Sequence, residues 1–372
     1  MEFNEVKWYF GMSFQINIAG SDYSSSMLKR MHPNKERPDY FNEILSFLHE
    51  YWNDRPTVKV STSGSTGKPK EIELSKSAMR VSASATYAFF MLDQIEKLVL
   101  CSPLSAGFIA GKMMLVRALE WDAKLICLQP DSTPLAQIDS PVDFMVMTPH
   151  QLSMSLKKNL QDKFRFVKKV LLGGSPINKK LEEQIQMLSG NYKIGFFLGY
   201  GMTETMSHVA VKHLSNVKSA AIYRGVKGVK FELDHRGCLK IIYPELLDSV
   251  LVTNDVVRLV DTSSFEWLGR IDNVINSGGI KIFPEQVERK LMQIINIPFY
   301  VSSIPDNELG EKIVIYIESV DKVSLAQLKQ RARKTLTKYE MPKIWRLVDA
   351  FNYTKNNKIL NLELYCKKAR SK

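Results

Sequence analysis

Between Ser61 and Lys70 the chain reads Ser-Thr-Ser-Gly-Ser-Thr-Gly-Lys-Pro-Lys, directly after the β-branched Val58 and Val60. Such a stretch suits a polyphosphate. Glycines let the backbone wrap an anion, successive N–H groups and hydroxyls donate hydrogen bonds, and the lysines compensate charge. The spacing excludes a Walker A loop, because only Ser65 and Thr66 separate Gly64 from Gly67 and Pro69 stands where Ser or Thr belongs. Further polar clusters follow at intervals: Gly173-Gly174-Ser175-Pro176, Gly199-Tyr200-Gly201-Met202-Thr203-Glu204, Asp255, Gly269-Arg270-Ile271-Asp272, Ser277-Gly278-Gly279 and Lys355-Asn356-Asn357-Lys358. Carboxylates such as Glu204 suit a hard cation that bridges phosphate oxygens. In isolation Asp255 would be a solvated acid and Lys358 a turn residue; their place in the series singles them out.

Regular elements must hold these clusters. Short apolar runs at Leu98 to Cys101, Lys124 to Leu128, Phe144 to Met147, Val170 to Leu172 and Gly195 to Leu198 read as buried parallel strands. Amphipathic stretches at Ser75 to Leu92, Ile109 to Glu120 and Asn178 to Leu188 read as helices, with Ser75 and Asn178 as N-caps. The alternation predicts a large α/β unit of parallel sheets and helices, joined to a β-rich section over Val226 to Trp267. A small α+β unit follows, with a helix opening at Pro284-Glu285, strands near Pro298 to Ser302 and Ile313 to Glu318, and a helix over Ser324 to Leu336. These readings divide the chain into 1–271 and 272–372.

With 51 Lys and Arg against 39 Asp and Glu, the chain carries a formal +12, but its basic runs are scattered and not interleaved with aromatics. Nucleic acid is therefore not expected as a partner. The four cysteines form no CxxC pair, and the six histidines no ligand cluster. The acidic start lacks a signal peptide's basic residues, and no apolar run reaches the ~18 residues of a membrane span. A cytoplasmic protein with no membrane partner is expected.

Thr62 to Lys70 matches the phosphate loop [ST]-S-G-[ST]-[ST]-G-x-P-K throughout, and Tyr200 to Glu204 matches YG-x-TE, so the chain resembles the adenylate-forming (AMP-binding) superfamily of acyl-CoA synthetases. The resemblance covers about Thr57 to Leu360. It implies a large N-terminal domain, a small mobile C-terminal domain, and three small-molecule partners besides Mg²⁺: a carboxylic acid, ATP and coenzyme A. Thr62, Ser63, Gly64, Ser65, Thr66, Gly67 and Lys68 would cradle phosphates; Gly174 and Ser175 would frame adenine; Tyr200, Gly201 and Met202 would line its other side. Thr203 would bond the α-phosphate or the acyl carboxylate, and Glu204 would hold Mg²⁺. Asp255 and Arg270 would take the ribose, and Asp272 would be the hinge. Ser277, Gly278 and Gly279 would line the coenzyme A passage, and Lys358 would catalyse adenylation.

Within the superfamily the chain is most similar to o-succinylbenzoate-CoA ligases of menaquinone biosynthesis. Arg117, in Gly111 to Leu119, matches an arginine that approaches a substrate carboxylate, and Ser207 matches a pocket serine. The chain departs from the family at Ser105-Ala106-Gly107-Phe108, which lacks the usual histidine, and at Glu71, Asn357 and Asn361. Only sixty residues precede Ser61, fewer than the family carries, and self-association is expected to compensate. Another aromatic acid, a carrier-protein acceptor, and a non-catalytic nucleotide-binding protein stay open as alternatives.

Overall fold

The computed structural model describes residues 14–62, 70–215, 221–318 and 324–351. An antiparallel pair, β1 (Gln15–Ile18) and β2 (Ser21–Ser24), leads into α1 (Ser25–Arg30), α2 (Asp39–Trp52) and a hairpin of β3 (Thr57–Thr62) and β4 (Lys70–Ser75). Helix and strand then alternate through α3 (Lys76–Phe89), β5 (Val99–Ser102), α4 (Ile109–Glu120), β6 (Lys124–Cys127), β7 (Val142–Met147), α5 (Pro149–Lys157), β8 (Val167–Leu172), α6 (Lys179–Tyr192) and β9 (Gly195–Gly201). Ser75 and Asn178 do cap their helices, accepting from the N–H of Ala78 at 3.4 Å and of Leu181 at 2.8 Å.

The antiparallel strands begin earlier than predicted, with β10 (His208–His213) and β11 (Ile222–Gly225); the predicted β-rich section, Val226 to Trp267, holds β12 (Lys230–Leu233), β13 (Cys238–Ile242), β14 (Leu251–Asp261) and the start of β15 (Ser264–Arg270). It is not a separate layer. All of these strands continue one thirteen-stranded sheet, ordered β12-β13-β14-β15-β11-β10-β9-β8-β7-β5-β6-β1-β2. From β9 to β1 the neighbours run parallel. The short connection after Gly201 turns β10 back antiparallel on β9, and the antiparallel half grows from there.

Two apolar cores cover the two faces of the parallel half, and the period-two alternation of each strand sorts its residues between them. Leu100, Phe144, Leu171 and Phe197 enter one core, while Cys101, Met145, Val170 and Phe196 enter the other. Asp143 is the acid within β7, and Lys168 Nζ at 2.8 Å and the Val99 N–H at 2.9 Å satisfy its carboxylate.

A 3-10 turn at Ile271–Asn273 leads from the large sheet into a smaller one with its own core. That part contains β16 (Ile275–Ser277), β17 (Ile280–Ile282), α7 (Pro284–Leu291), β18 (Phe299–Asp306), β19 (Gly310–Glu318), α8 (Leu325–Thr335) and β20 (Ile344–Val348). Its strands run β17-β16-β19-β18, with β20 parallel to β19. Among the described residues, no helix is long and apolar enough to cross a membrane.

Candidate active site

In an open α/β sheet, ligands sit outside the carboxyl ends of parallel strands. Two of the polar clusters lie there. Gly173-Gly174-Ser175 leaves β8, with Gly174 at φ +89°, and Tyr200-Gly201-Met202 closes β9. Thr148, after β7, caps α5 in a reciprocal box with Gln151.

Beyond Gly201 the chain makes one 3-10 turn, Thr203–Thr205, before entering β10. The Thr205 hydroxyl clips this turn: it accepts the Met202 N–H at 3.0 Å and lies 2.7 Å from the Ser207 carbonyl. Glu204 is exposed, with no hydrogen bond or ion pair among the described residues. Gly201 is required by space, since a Cβ there would lie 2.1 Å from the Ser207 carbonyl oxygen. Gly201→Ala must push the Thr203–Glu204 turn outward, and displacements near 1 Å cost about 10²-fold in rate. We expect about that loss in kcat/KM with the melting temperature lowered by only a few degrees, read from steady-state kinetics and thermal unfolding.

Asp255 and Arg270 are a register pair on β14 and β15, so cross-strand pairing brings them together. Asp255 is buried, with one carboxylate oxygen 2.6 Å from the Tyr200 hydroxyl; the other lies 3.1 Å from Trp267 Nε1 and 3.9 Å from Arg270 Nη1. Burial first, and then the Asp255 charge, push the Tyr200 phenol far above its ordinary range. The Tyr200 hydroxyl therefore stays protonated and donates. Arg270 also donates to Asp272 at 2.7 Å, and this hydrogen bond is the largest cause holding the Asp272 carboxyl below its usual value. Asn254 reaches both Asp272 oxygens at 3.2 Å.

The smaller sheet meets this region through α7. Glu285 accepts from Asn273 Nδ2 at 2.6 Å and from the Arg270 N–H at 3.3 Å, while its second oxygen is buried with no partner among the described residues. Ser277, Gly278 and Gly279 sit at the tip of the β16–β17 hairpin. The two glycines make its two-residue turn at φ +58° and +78°, a left-handed pair that suits Gly-Gly.

Arg117 and Ser207 come from α4 and from the residue before β10, ninety positions apart in sequence, yet the guanidinium donates to the Ser207 hydroxyl at 2.5 Å. Arg117 is 2% exposed. Among the described residues its other contacts are Thr86 Oγ1 at 3.5 Å and Met114 Sδ at 3.6 Å, its Nε has no partner, and no carboxylate pairs with it. Burial pushes its pKa down to about 9, so it is still a cation at neutral pH. An unpaired buried guanidinium is costly. His208 completes the group, its ring bridging Ser207 Oγ at 3.1 Å and Thr86 Oγ1 at 3.3 Å. Burial, then the Arg117 charge, hold its pKa well below the usual histidine value.

Sequence reasoning singled out neither Thr86, Trp267 nor His208 as site residues. It also missed Glu43, which reaches from α2 into the segment lacking the family's histidine, where it accepts from Ser105 Oγ at 2.5 Å and the Gly107 N–H at 3.2 Å. Beside that contact opens a cleft of about 460 Å³ lined by Asp39, Asn42, Glu43 and Lys112. Periodicity marks Glu43 as a helix-surface residue, and only the fold carries it to residues 105–107. Thr62 ends β3; residues 63–69, with the phosphate-loop expectations on Ser63 to Lys68, lie outside the described residues, as does Lys358. The β3–β4 register pairs Thr62 with Lys70, so that loop connects the two strands of a hairpin.

Residues 33–229 match the AMP-binding enzyme family. The chain belongs to that family and is an acyl-CoA ligase of the AMP-forming type. Among individual proteins, it is 24% identical over 324 residues to a 2-succinylbenzoate–CoA ligase of Staphylococcus epidermidis, covering 80% of this chain and 67% of that one. A crystal structure from Dyadobacter fermentans, described as an acyl-CoA synthetase (AMP-forming)/AMP-acid ligase II-like protein, is 33% identical with a TM-score of 0.61, covering 93% of this chain and 98% of that one. The o-succinylbenzoate CoA synthetase of Bacillus subtilis, solved with its acyl-adenylate intermediate, superposes with a TM-score of 0.71 at 20% identity, covering 82% of this chain and 68% of that one.

Proposed function

We propose that this ligase activates an aromatic dicarboxylic acid, o-succinylbenzoate in the first instance, with ATP and then transfers the acyl group to coenzyme A. The observation that carries the acid class is Arg117, a fully buried cation that has, among the described residues, an orphan Nε and no carboxylate of its own. A substrate's second carboxylate, docked against the planar fork, would supply the missing charge and hydrogen bonds. Family relatives that act on 2-succinylbenzoate support the choice of acid.

The remaining roles follow from the motif matches and are compatible with the geometry. Asp255 accepts the ribose hydroxyls, already aligned by Tyr200 and Trp267, with Arg270 beside it; Tyr200, Met202, Gly174 and Ser175 enclose the adenine. Thr203 donates to the α-phosphate or the attacking carboxylate. Glu204, an exposed carboxylate with no partner among the described residues, fits a Mg²⁺ that takes one protein oxygen and several phosphate oxygens. Bound there, Mg²⁺ would neutralise phosphate charge as pyrophosphate departs. The Bacillus synthetase has also been solved with ATP and magnesium ion, in keeping with this reading. Attack of the acid's carboxylate oxygen on the α-phosphorus expels pyrophosphate, and the coenzyme A thiol, arriving along Ser277-Gly278-Gly279, then displaces AMP. Asp272 acts as the pivot between residues 1–271 and 272–372.

The test is acid-dependent pyrophosphate release from ATP and Mg²⁺ across o-succinylbenzoate, simple benzoates and fatty acids, with and without coenzyme A. Release with o-succinylbenzoate plus a coenzyme A thioester is the expected result. Release without thioester would assign a carrier-protein acceptor instead. No release with any dicarboxylic acid would overturn the acid class.

A further inference from the structure

The hydrogen bonds around Arg117 fix where each proton lies. Thr86 has one hydroxyl hydrogen, and the Ser82 carbonyl takes it at 2.9 Å. Thr86 Oγ1 must therefore accept from the His208 ring nitrogen it faces, Nε2, which then carries the ring hydrogen. A neutral imidazole with its hydrogen on Nε2 has a bare Nδ1. Ser207 must spend its own hydrogen on that Nδ1, and its lone pairs face the Arg117 Nη2 that donates to it. The direction of donation is thus Arg117 to Ser207 to His208 to Thr86 to the Ser82 carbonyl. In this state the Ser207 hydroxyl has no hydrogen left for a substrate.

We propose that His208 is a positioning residue that makes the pocket selective for acids with a second carboxylate, by taking up a solvent proton at Nδ1 and so turning the Ser207 hydroxyl toward that carboxylate. The inference rests on the reading of Arg117 as the acid's partner. Once Nδ1 carries a hydrogen it donates to Ser207 Oγ, whose own hydrogen is released to a carboxylate oxygen lying against the guanidinium. A monocarboxylic acid offers no such acceptor, and an imidazolium beside an uncompensated Arg117 is unfavourable. The surroundings of His208 leave Arg117 as the charge that governs it. Among the described residues, Thr86 from α3 and the Phe90 ring at 6.4 Å are uncharged, and Gly199 on β9 adds only backbone. Arg117, on α4, is the one charge named among the causes of its shift.

The sign follows from linkage. In the free protein His208 is held neutral, and an anion against Arg117 cancels the charge that disfavours the imidazolium, so binding raises its pKa and consumes a proton. Affinity for the dicarboxylate therefore rises as pH falls through the bound-state pKa and levels off below the free-state one. The acid's own carboxyls, with pKa values near 4, stay ionised from pH 8.5 to 5.5, so a slope in that range is not theirs.

Two measurements test this on the full chain. Pyrophosphate-release kinetics from pH 8.5 to 5.5 would compare o-succinylbenzoate with 4-oxo-4-phenylbutanoate, which lacks the ring carboxylate. Wild type should show KM for the diacid falling by up to about tenfold per pH unit within the window, with a flat KM for the monoacid and kcat unmoved between the acids. His208→Gln keeps a donor and an acceptor but cannot titrate, and should flatten the diacid profile. A slope that persists in His208→Gln, or that both acids share, overturns the proposal. ¹⁵N-histidine NMR of the free protein, with His208 assigned by its loss in the variant, should give the Nε2–H tautomer; an Nδ1–H tautomer would overturn it regardless of activity. Should neither acid turn over, the reading of the acid class has failed, and the tautomer still decides how Ser207 points.

Discussion

Replacing Arg117 by methionine is expected to raise KM for a dicarboxylic acid by about 10²- to 10³-fold while leaving KM for a matched monocarboxylic acid within about threefold. The magnitude is that of truncating one partner of a buried, charge-assisted pair, about 2–5 kcal/mol. The same substitution should make the folded protein more stable, because among the described residues the buried guanidinium has no anion and its Nε no acceptor. Replacing buried charge with an apolar chain of similar volume commonly gains 1–4 kcal/mol, roughly a few degrees in melting temperature. Opposite signs in the two measurements would mark Arg117 as kept for binding. A drop in stability with unchanged discrimination between the two acids would make it a structural residue instead.

The second large effect is expected at Lys358. If its ammonium stabilises the charge that moves between carboxylate and α-phosphate, Lys358→Ala should lower acid-dependent pyrophosphate release by about 10²- to 10³-fold, as for other transition-state donors. Thioester formation from a synthetic acyl-adenylate and coenzyme A should change by less than about threefold. Parallel loss of both half-reactions would assign Lys358 to folding or general nucleotide binding.

The α/β half of the fold was legible because each buried strand is a short apolar run, the helices between them are amphipathic, and two of those helices open on the polar caps Ser75 and Asn178. Ile109–Glu120 agrees to the residue, and Ser75 and Asn178 cap as expected. The continuity of the sheet was not legible, since nothing in β9 or β10 announces that the turn at 202–207 folds the chain back beside its own strand rather than starting a new layer. The same limit applies to the site. Tyr200, Asp255 and Arg270 could be grouped from motif order, and β14–β15 pairing brings two of them together. Trp267 and Thr86 could not, because both look like packing residues until cross-strand register and helix contact put a donor beside Asp255 and a hydroxyl beside Arg117. His208 follows directly on Ser207 in sequence, but its bridging role depends on α3 lying across from β10. A histidine entering a strand beside apolar residues gives no sign of that.

Glu285 gives the contact between the two sheets a particular thermodynamic character. One of its oxygens holds the Gly269–Asn273 segment, while the other is buried with no donor among the described residues. Moving α7 off that segment would break two hydrogen bonds and at the same time hydrate a carboxylate oxygen that nothing solvates here, so the two costs oppose each other. The hydrogen bonds give the junction a defined orientation while the unsolvated oxygen makes it shallow in free energy, which is the character that the pivoting proposed at Asp272 would need.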